Sequence, residues 1–307
     1  MKISFIAPGE ITIPPNGWGA LETVVWHQSQ SLRDLGYNIQ IVNEPEPQNA
    51  YEQIAKFNPD IVHLHYGKHY EILPHINARK IVTNHNGSFI NNLKFHEAII
   101  REFMYDCEFF NLTTWECDLL KTIGFPPKNI KILPNGVDYN SFRKSEKPKH
   151  KDRSICLGKI DKRKRQAFLQ DLDAQIDFVG QNSDIDFNPL HTNFLGPWTR
   201  DQVYNHLTEY SNLILLSESE LQPLVCLEAL SAGLGLVLTE ACTQNLDTSL
   251  PFISVIPNDK NTDKAYIKHT IIENRKYCNY IDRQEILQYA AKFDWHNIAI
   301  KYQEYIV

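Results

Sequence analysis

The 307-residue sequence contains no run of about 18 consecutive apolar residues, the length a helix needs to cross a bilayer. The apolar run near the start ends at Pro8-Gly9 and is too short for a secretory signal. A helical membrane span is thereby excluded, while a peripheral contact with a membrane surface stays open. Cysteine is sparse: six residues, at 107, 117, 156, 226, 242 and 278, with no pair at metal or redox spacing. That pattern excludes a disulfide scaffold and predicts reduced thiols in a reducing, cytoplasmic compartment. An excess of positive charge is also missing. A net charge of −6 and a pI near 6.1 have the wrong sign for a general duplex-DNA binder, so no nucleic-acid polymer is expected as partner.

What is present is alternation. Short apolar runs predict strands at Lys2–Ala7, 38–43, 60–65, 80–84, 108–113 and 129–133, separated by helical patterns such as 21–35, 50–57 and 115–123. The second half repeats the scheme, with strands at 154–157, 176–179, 193–195, 212–216, 235–239 and 252–256. Its helices are predicted at 163–172, 199–209, 224–232 and near the C-terminus. Strands apolar almost throughout, alternating with helices, predict an α/β protein with two parallel sheets covered on both faces. The length suits two domains of about 150 residues each.

Residues 143–153 carry no large apolar side chain, which is linker chemistry and sets the domain boundary near residue 150. From Arg143 to Arg165, eleven Lys or Arg stand against three acids, a local +8 on a −14 remainder. Most of that charge reads as a solvated linker; the end of the run reads as an anion site. Open α/β sheets bind ligands at the carboxyl ends of their strands, so the loops after strands carry the chemistry.

The richest of these loops is 217–233, Ser-Glu-Ser-Glu-Leu-Gln-Pro-Leu-Val-Cys-Leu-Glu-Ala-Leu-Ser-Ala-Gly. A strand ends before it and a helix begins near Leu224. The free N–H groups of a helix start suit a phosphate, and the flanking carboxylates Glu220 and Glu228 suit sugar hydroxyls. Two glutamates around a helix start are common in any protein, so the spacing alone is weak.

The context strengthens it. Glu220, Glu228, Ala229 and Gly233 match the Glu-x7-Glu and Ala-x-x-x-Gly pattern of retaining glycosyltransferases of family 4, which the sequence resembles. Leu157-Gly-Lys-Ile-Asp-Lys-Arg-Lys164 is similar to that family's Gly-Arg-Leu-x-x-x-Lys segment. Pro134-Asn-Gly-Val-Asp138 with Phe142, Phe194-Leu-Gly196, Gly17-Trp-Gly-Ala-Leu-Glu22 and Phe293-Asp-Trp295 resemble further family segments in the same order. The resemblance implies a GT-B fold: two facing Rossmann-like domains, 1–150 on the acceptor side and 151–290 for the donor, with 291–307 a helix returning to the first. It implies a hexose-type sugar moved from a UDP, GDP or ADP donor to a glycan, lipid or small-molecule acceptor, with no cofactor and no metal.

Site roles follow from the same resemblance. Lys159 and Lys164 fall where the family holds the donor diphosphate. Lys159 replaces an Arg, keeping the charge and losing the fork. Arg163 and Arg165 are candidates to compensate but read first as an exposed helix face. Glu228 matches the ribose-binding glutamate and Glu220 the one on the transferred sugar. Leu224 and Val225 offer amides to the phosphate, although Pro223 takes the place of a family Gly and has no N–H. His85, in Thr83-Asn-His-Asn86-Gly87, matches a His that faces the sugar, and Gly17 and Gly19 let backbone approach the donor. Trp18 between them is suited either to stacking on a sugar or to covering the cleft. Two alternatives stand beside this reading. One is a catalytically weak or inactive nucleotide-sugar binding protein, which Pro223 makes conceivable. The other is a metal-dependent hydrolase using His63 and His65, whose His-x-His lacks the expected later ligands.

Overall fold

Strands of three to six residues, most of them apolar on both faces, alternate with helices, and each strand pair among the described residues is parallel. A computed structural model describes residues 1–17, 19–66, 68–85 and 93–307. The chain forms two units, one from Met1–Pro15, Gly19–Gly136 and Trp295–Val307, the other from Val137–Asp294 together with the short stretch 16–18.

The first unit runs β1 (Lys2–Ala7), α1 (Ala20–Asp34), β2 (Asn38–Asn43), α2 (Pro47–Phe57), β3 (Ile61–Tyr66), β4 (Arg79–Asn84), α3 (Leu93–Phe103), β5 (Glu108–Asn111), α4 (Thr114–Thr122) and β6 (Ile130–Ile132). Its sheet order is β2-β1-β3-β4-β5-β6. Central strands bury nearly every side chain, including Ile3, Phe5, Ile6, Val62, Leu64 and Val82, because helices cover both faces. The second unit runs β7 (Ser154–Leu157), α5 (Gln166–Gln170), β8 (Ile176–Val179), α6 (Arg200–His206), β9 (Asn212–Leu215), α7 (Leu224–Ser231), β10 (Gly235–Thr239), β11 (Ile253–Ile256), α8 (Lys264–Tyr280) and α9 (Arg283–Ala290). Its order is β11-β10-β9-β7-β8.

The last helix, α10 (Trp295–Ile306), packs in the first unit. Arg79 donates to the carbonyls of Tyr305 at 2.7 Å and Ile306 at 2.9 Å, which meets otherwise orphaned acceptors at the helix end. Gly136 is obligatory beneath it, since a Cβ there would lie 2.5 Å from the Trp295 ring.

Four expectations change. The chain passes between units at Gly136/Val137, not near residue 150. The basic segment 143–153 is laid on the second unit, with Arg143 N–H donating to Tyr204 O (2.9 Å) and His150 N–H to Glu209 O (2.8 Å). The predicted strand at 193–195 is reduced to a single bridge between Phe194 and Phe178 on the edge strand β8. The helix expected at 163–172 is broken: a 3₁₀ turn at Lys162–Lys164, then Arg165 in the left-handed region (φ 60°), then α5.

In the second unit a cation is used as a structural staple. Arg283 is 2% exposed and pairs with no carboxylate among the described residues. Its Nη1 donates to the Thr208 carbonyl at 2.7 Å and its Nη2 to that of Tyr210. Burial pulls this guanidinium down to about 10. Gly233 (φ +81°) lies under its methylenes, 3.2 Å from Cδ to a would-be Cβ. Arg283→Ala leaves buried carbonyls without donors, and the expected loss is about 2–4 kcal/mol of stability. Urea unfolding measures it; a loss under about 1 kcal/mol would show that water replaces the guanidinium.

Candidate functional site

β7 and β9 are neighbours in the second sheet although α5, β8 and α6 separate them in sequence. The loops leaving their carboxyl ends therefore meet. The β7 loop turns at Gly158 (φ +130°), and Gly180 after β8 sits so close that a Cβ there would fall 1.9 Å from the Gly158 carbonyl oxygen. Asp161 then caps the 3₁₀ turn by accepting Lys164 N–H at 3.0 Å. The β9 loop is laced to this turn: Glu218 N–H donates to Arg163 O at 2.9 Å.

The side chains follow. Arg163 Nη1 donates to Ser217 Oγ at 2.9 Å, to Glu220 Oε1 at 2.8 Å and to the Ser219 carbonyl. Lys164 Nζ stands 3.9 Å from the same Glu220 oxygen, with both side chains only 16% exposed. Lys159 is exposed, and its ammonium makes no ion pair among the described residues.

Immediately after this loop α7 begins. Pro223 is its N-cap and supplies no N–H, while its carbonyl accepts Cys226 N–H at 3.1 Å. Leu224 and Val225 occupy the first turn, where helix geometry gives N–H groups no acceptor within the helix. Glu228, buried one turn on, receives Arg200 Nη1 on Oε1 at 2.5 Å. Arg200 begins α6, and its guanidinium lies 4.6 Å over the Tyr204 ring. The buried Cys226 thiol lies among these charges. Burial pushes it well above its usual value; Cys242, Glu220 and Glu228 add to the push and Lys164 opposes it.

Lys164, Glu220, Leu224, Val225 and Glu228 thus gather around the start of α7, as their motifs suggest. Two residues were not foreseen in these positions. Arg163, expected on an exposed helix face, reaches back to Glu220. Arg200 carries no motif at all, and only its place beside the Thr199 helix cap marks it in the sequence. Arg165 is not part of the group: it donates to Asn261 O at 2.8 Å and lies over Phe168.

In the first unit the candidates are uncharged. His63, His65 and His85 stack in series, with ring centroids 4.4 and 5.2 Å apart. Thr83 Oγ1 donates to Phe110 O at 2.7 Å, so it must accept from His63 Nε2 at 2.9 Å. His63 Nδ1, 3.2 Å from the Tyr302 hydroxyl, is then the acceptor. Both ring nitrogens of His63 are engaged in hydrogen bonds, and no group of three or more His, Cys, Asp or Glu among the described residues is arranged to hold a metal ion. His65 Nδ1 bonds His85 Nε2 at 2.9 Å, and His69 Nε2 bonds Glu44 O at 2.7 Å. Gly19 (φ +143°) is required locally, because a Cβ would meet Pro15 at 2.9 Å; Gly17 has open space around it. Trp18, Asn86 and Gly87 lie outside the described residues. All six cysteines are free and buried. No helix among the described residues is long and apolar enough to cross a membrane.

No family model matches the chain, and no curated protein matches it. Solved structures do. Sucrose-phosphate synthase from Thermosynechococcus elongatus aligns at TM-score 0.73 and 14% identity, over 99% of this chain and 98% of that one. HepE of Anabaena, solved in complex with UDP and glucose, aligns at 0.73 and 14% over 100% and 99%. WaaG, a glycosyltransferase involved in lipopolysaccharide biosynthesis, aligns at 0.68 and 13% over 99% of each. The likeness concerns the fold: two Rossmann-like units with parallel sheets of six and five strands, the GT-B fold.

The histidine stack makes a direct prediction. Burial lowers His63 and His65 well below the ordinary histidine value, with neighbouring imidazoles adding to the effect, and lowers His85 to about 4. These rings should stay neutral in the folded chain from pH 8 to about 5. The unfolded chain takes up their protons below about pH 6.5, so stability present above that value should decline as pH falls towards 4. Ring nitrogen chemical shifts followed through a pH titration test this; a ring titrating near 6.5 is not buried as described.

Proposed function

We propose that this chain is a glycosyltransferase that moves a sugar, of the hexose type, from a nucleoside diphosphate to an acceptor. The observation that carries the reading is one cluster: Lys164 and Glu220 at 3.9 Å beside the start of α7, with Glu228 one turn inside it. The cluster combines cations and free amides for a diphosphate with carboxylates for hydroxyls. The GT-B fold and the UDP-containing HepE complex support it.

The chemistry follows from charge. As the sugar–phosphate bond breaks, negative charge collects on the leaving diphosphate and positive charge on the sugar carbon. Lys164, Lys159 and the amides of Leu224 and Val225 are assigned to the phosphate oxygens, where preorganised positive charge lowers the barrier. Glu220 is assigned to sugar hydroxyls and Glu228 to the ribose. His85 is the first unit's candidate for the sugar, a neutral imidazole that gives or takes a hydrogen bond without adding charge. Retention of configuration through front-face attack, membership of family 4 and independence of cofactor and metal extend the sequence resemblance. The buried thiols accord with a cytoplasmic site of action. Loss of the Pro223 N–H shifts phosphate binding towards the lysines.

A panel of nucleoside diphosphates and their sugars, read by thermal shift, tests the donor without knowledge of the acceptor. A true donor at a hundredfold excess over its Kd stabilises the fold by about 2.7 kcal/mol. A panel with no stabilising member overturns the proposal. Donor binding without hydrolysis or transfer favours the binding-protein alternative. Given turnover, Lys164→Ala should lower it by on the order of 10²-fold, the scale of one lost transition-state charge contact. Unchanged turnover removes Lys164 from the site.

A further inference from the structure

Each of the two carboxylates in the cluster is held by an arginine from a different element, Arg163 from the β7 loop and Arg200 from the start of α6, and the two arginines are fixed in different ways. Glu220 lies in an irregular loop, where no helix sets its rotamer. Its Oε1 takes Arg163, whose Nη1 is shared among Ser217 Oγ, the Ser219 carbonyl and Glu220. Among the described residues Oε2 of Glu220 takes no hydrogen bond. Arg163 is also clasped through its own carbonyl by Glu218 N–H. A guanidinium engaged in this way fixes the Ser217–Glu220 loop; to reach a phosphate its Nη1 would have to give up three acceptors. Glu228 sits on the rigid α7 and takes Arg200, which is stacked on Tyr204 and anchored at the start of α6.

We infer that Arg163 and Arg200 are positioning residues that divide donor recognition: Arg163 sets Glu220 for the transferred sugar, and Arg200 sets Glu228 for the nucleoside. The inference rests on the nucleotide-sugar reading above and adds to it which interactions confer affinity for which half of the donor. An arginine acting through a carboxylate contributes only when that carboxylate is present, and only for the part of the ligand the carboxylate touches. Were Arg163 instead a third phosphate cation, its loss would weaken nucleotide and nucleotide-sugar binding alike.

The experiment is calorimetric titration of the full chain with UDP and with UDP-glucose, with GDP and GDP-mannose in parallel. For Arg163→Ala, the Kd of the nucleotide should change less than about twofold. The Kd of its sugar conjugate should rise about tenfold, the scale of one charged hydrogen bond. For Arg200→Ala, both should rise by a similar factor of about ten. Adding Arg163→Ala to Glu220→Gln should cause no further loss for the conjugate. Melting points of each variant without ligand separate these effects from misfolding, and Arg163→Lys should recover only part of the lost affinity. An equal loss for both ligands in Arg163→Ala overturns the division, as does full additivity with Glu220→Gln. Wild-type protein that binds none of the four overturns the nucleotide-sugar reading and this division with it. Wild-type binding with unsplit variants overturns the division alone.

Discussion

The parallel pairing of β7 with β9 is the constraint on which the second unit's chemistry depends. Those strands are far apart in sequence and adjacent in the sheet, so their carboxyl-end loops share one small volume. One loop brings Arg163 and Lys164, the other Glu220 and the start of α7. Neither loop alone holds opposite charges at ligand-binding distance. A change of strand order would leave every motif intact in sequence and disperse the site. The crowding at Gly158 and Gly180 belongs to the same constraint, since side chains there would push the β7 loop away from its neighbours.

In the donor-free chain these charges neutralise one another: Arg163 and Lys164 against Glu220, Arg200 against Glu228. Such pairs add little net stability, because desolvation consumes much of their attraction. What they supply is orientation. A carboxylate with one oxygen bound to a guanidinium presents its other oxygen in a fixed direction. A diphosphate bound as proposed would meet Lys159, Lys164 and the first amides of α7, none of which is committed to a short ion pair.

The sequence made legible whatever depends on local pattern. Strand and helix positions in both units follow from apolar runs and breakers, and Glu220, Lys164, Leu224 and Glu228 follow from a loop between a strand and a helix. What escaped depends on side chains reaching across the sheet. Arg163 and Arg200 find their carboxylates 57 and 28 residues away, and no spacing rule covers such distances. The domain boundary escaped for a related reason. A polar, basic segment reads as a linker, yet acids on the folded unit attract it: Lys149 pairs with Glu209 and Arg153 with Asp177. The strand expected at 193–195 amounts to one bridge, from Phe194 to Phe178 on the edge strand β8.

The +8 segment shows how such a charge run resolves into separate jobs. Lys149 and Arg153 pin the chain to the second unit, Lys162 pairs with Asp186 at its surface, and Arg163 organises a loop. Lys159 makes no ion pair among the described residues and Lys164 only a long one, 3.9 Å from Glu220, while Arg143, Lys144, Lys147, Lys151 and Arg165 are likewise without a short ion pair. In the first unit, burial keeps the buried His63 and His65 and the half-buried His85 neutral, so what these rings offer is hydrogen bonding rather than charge.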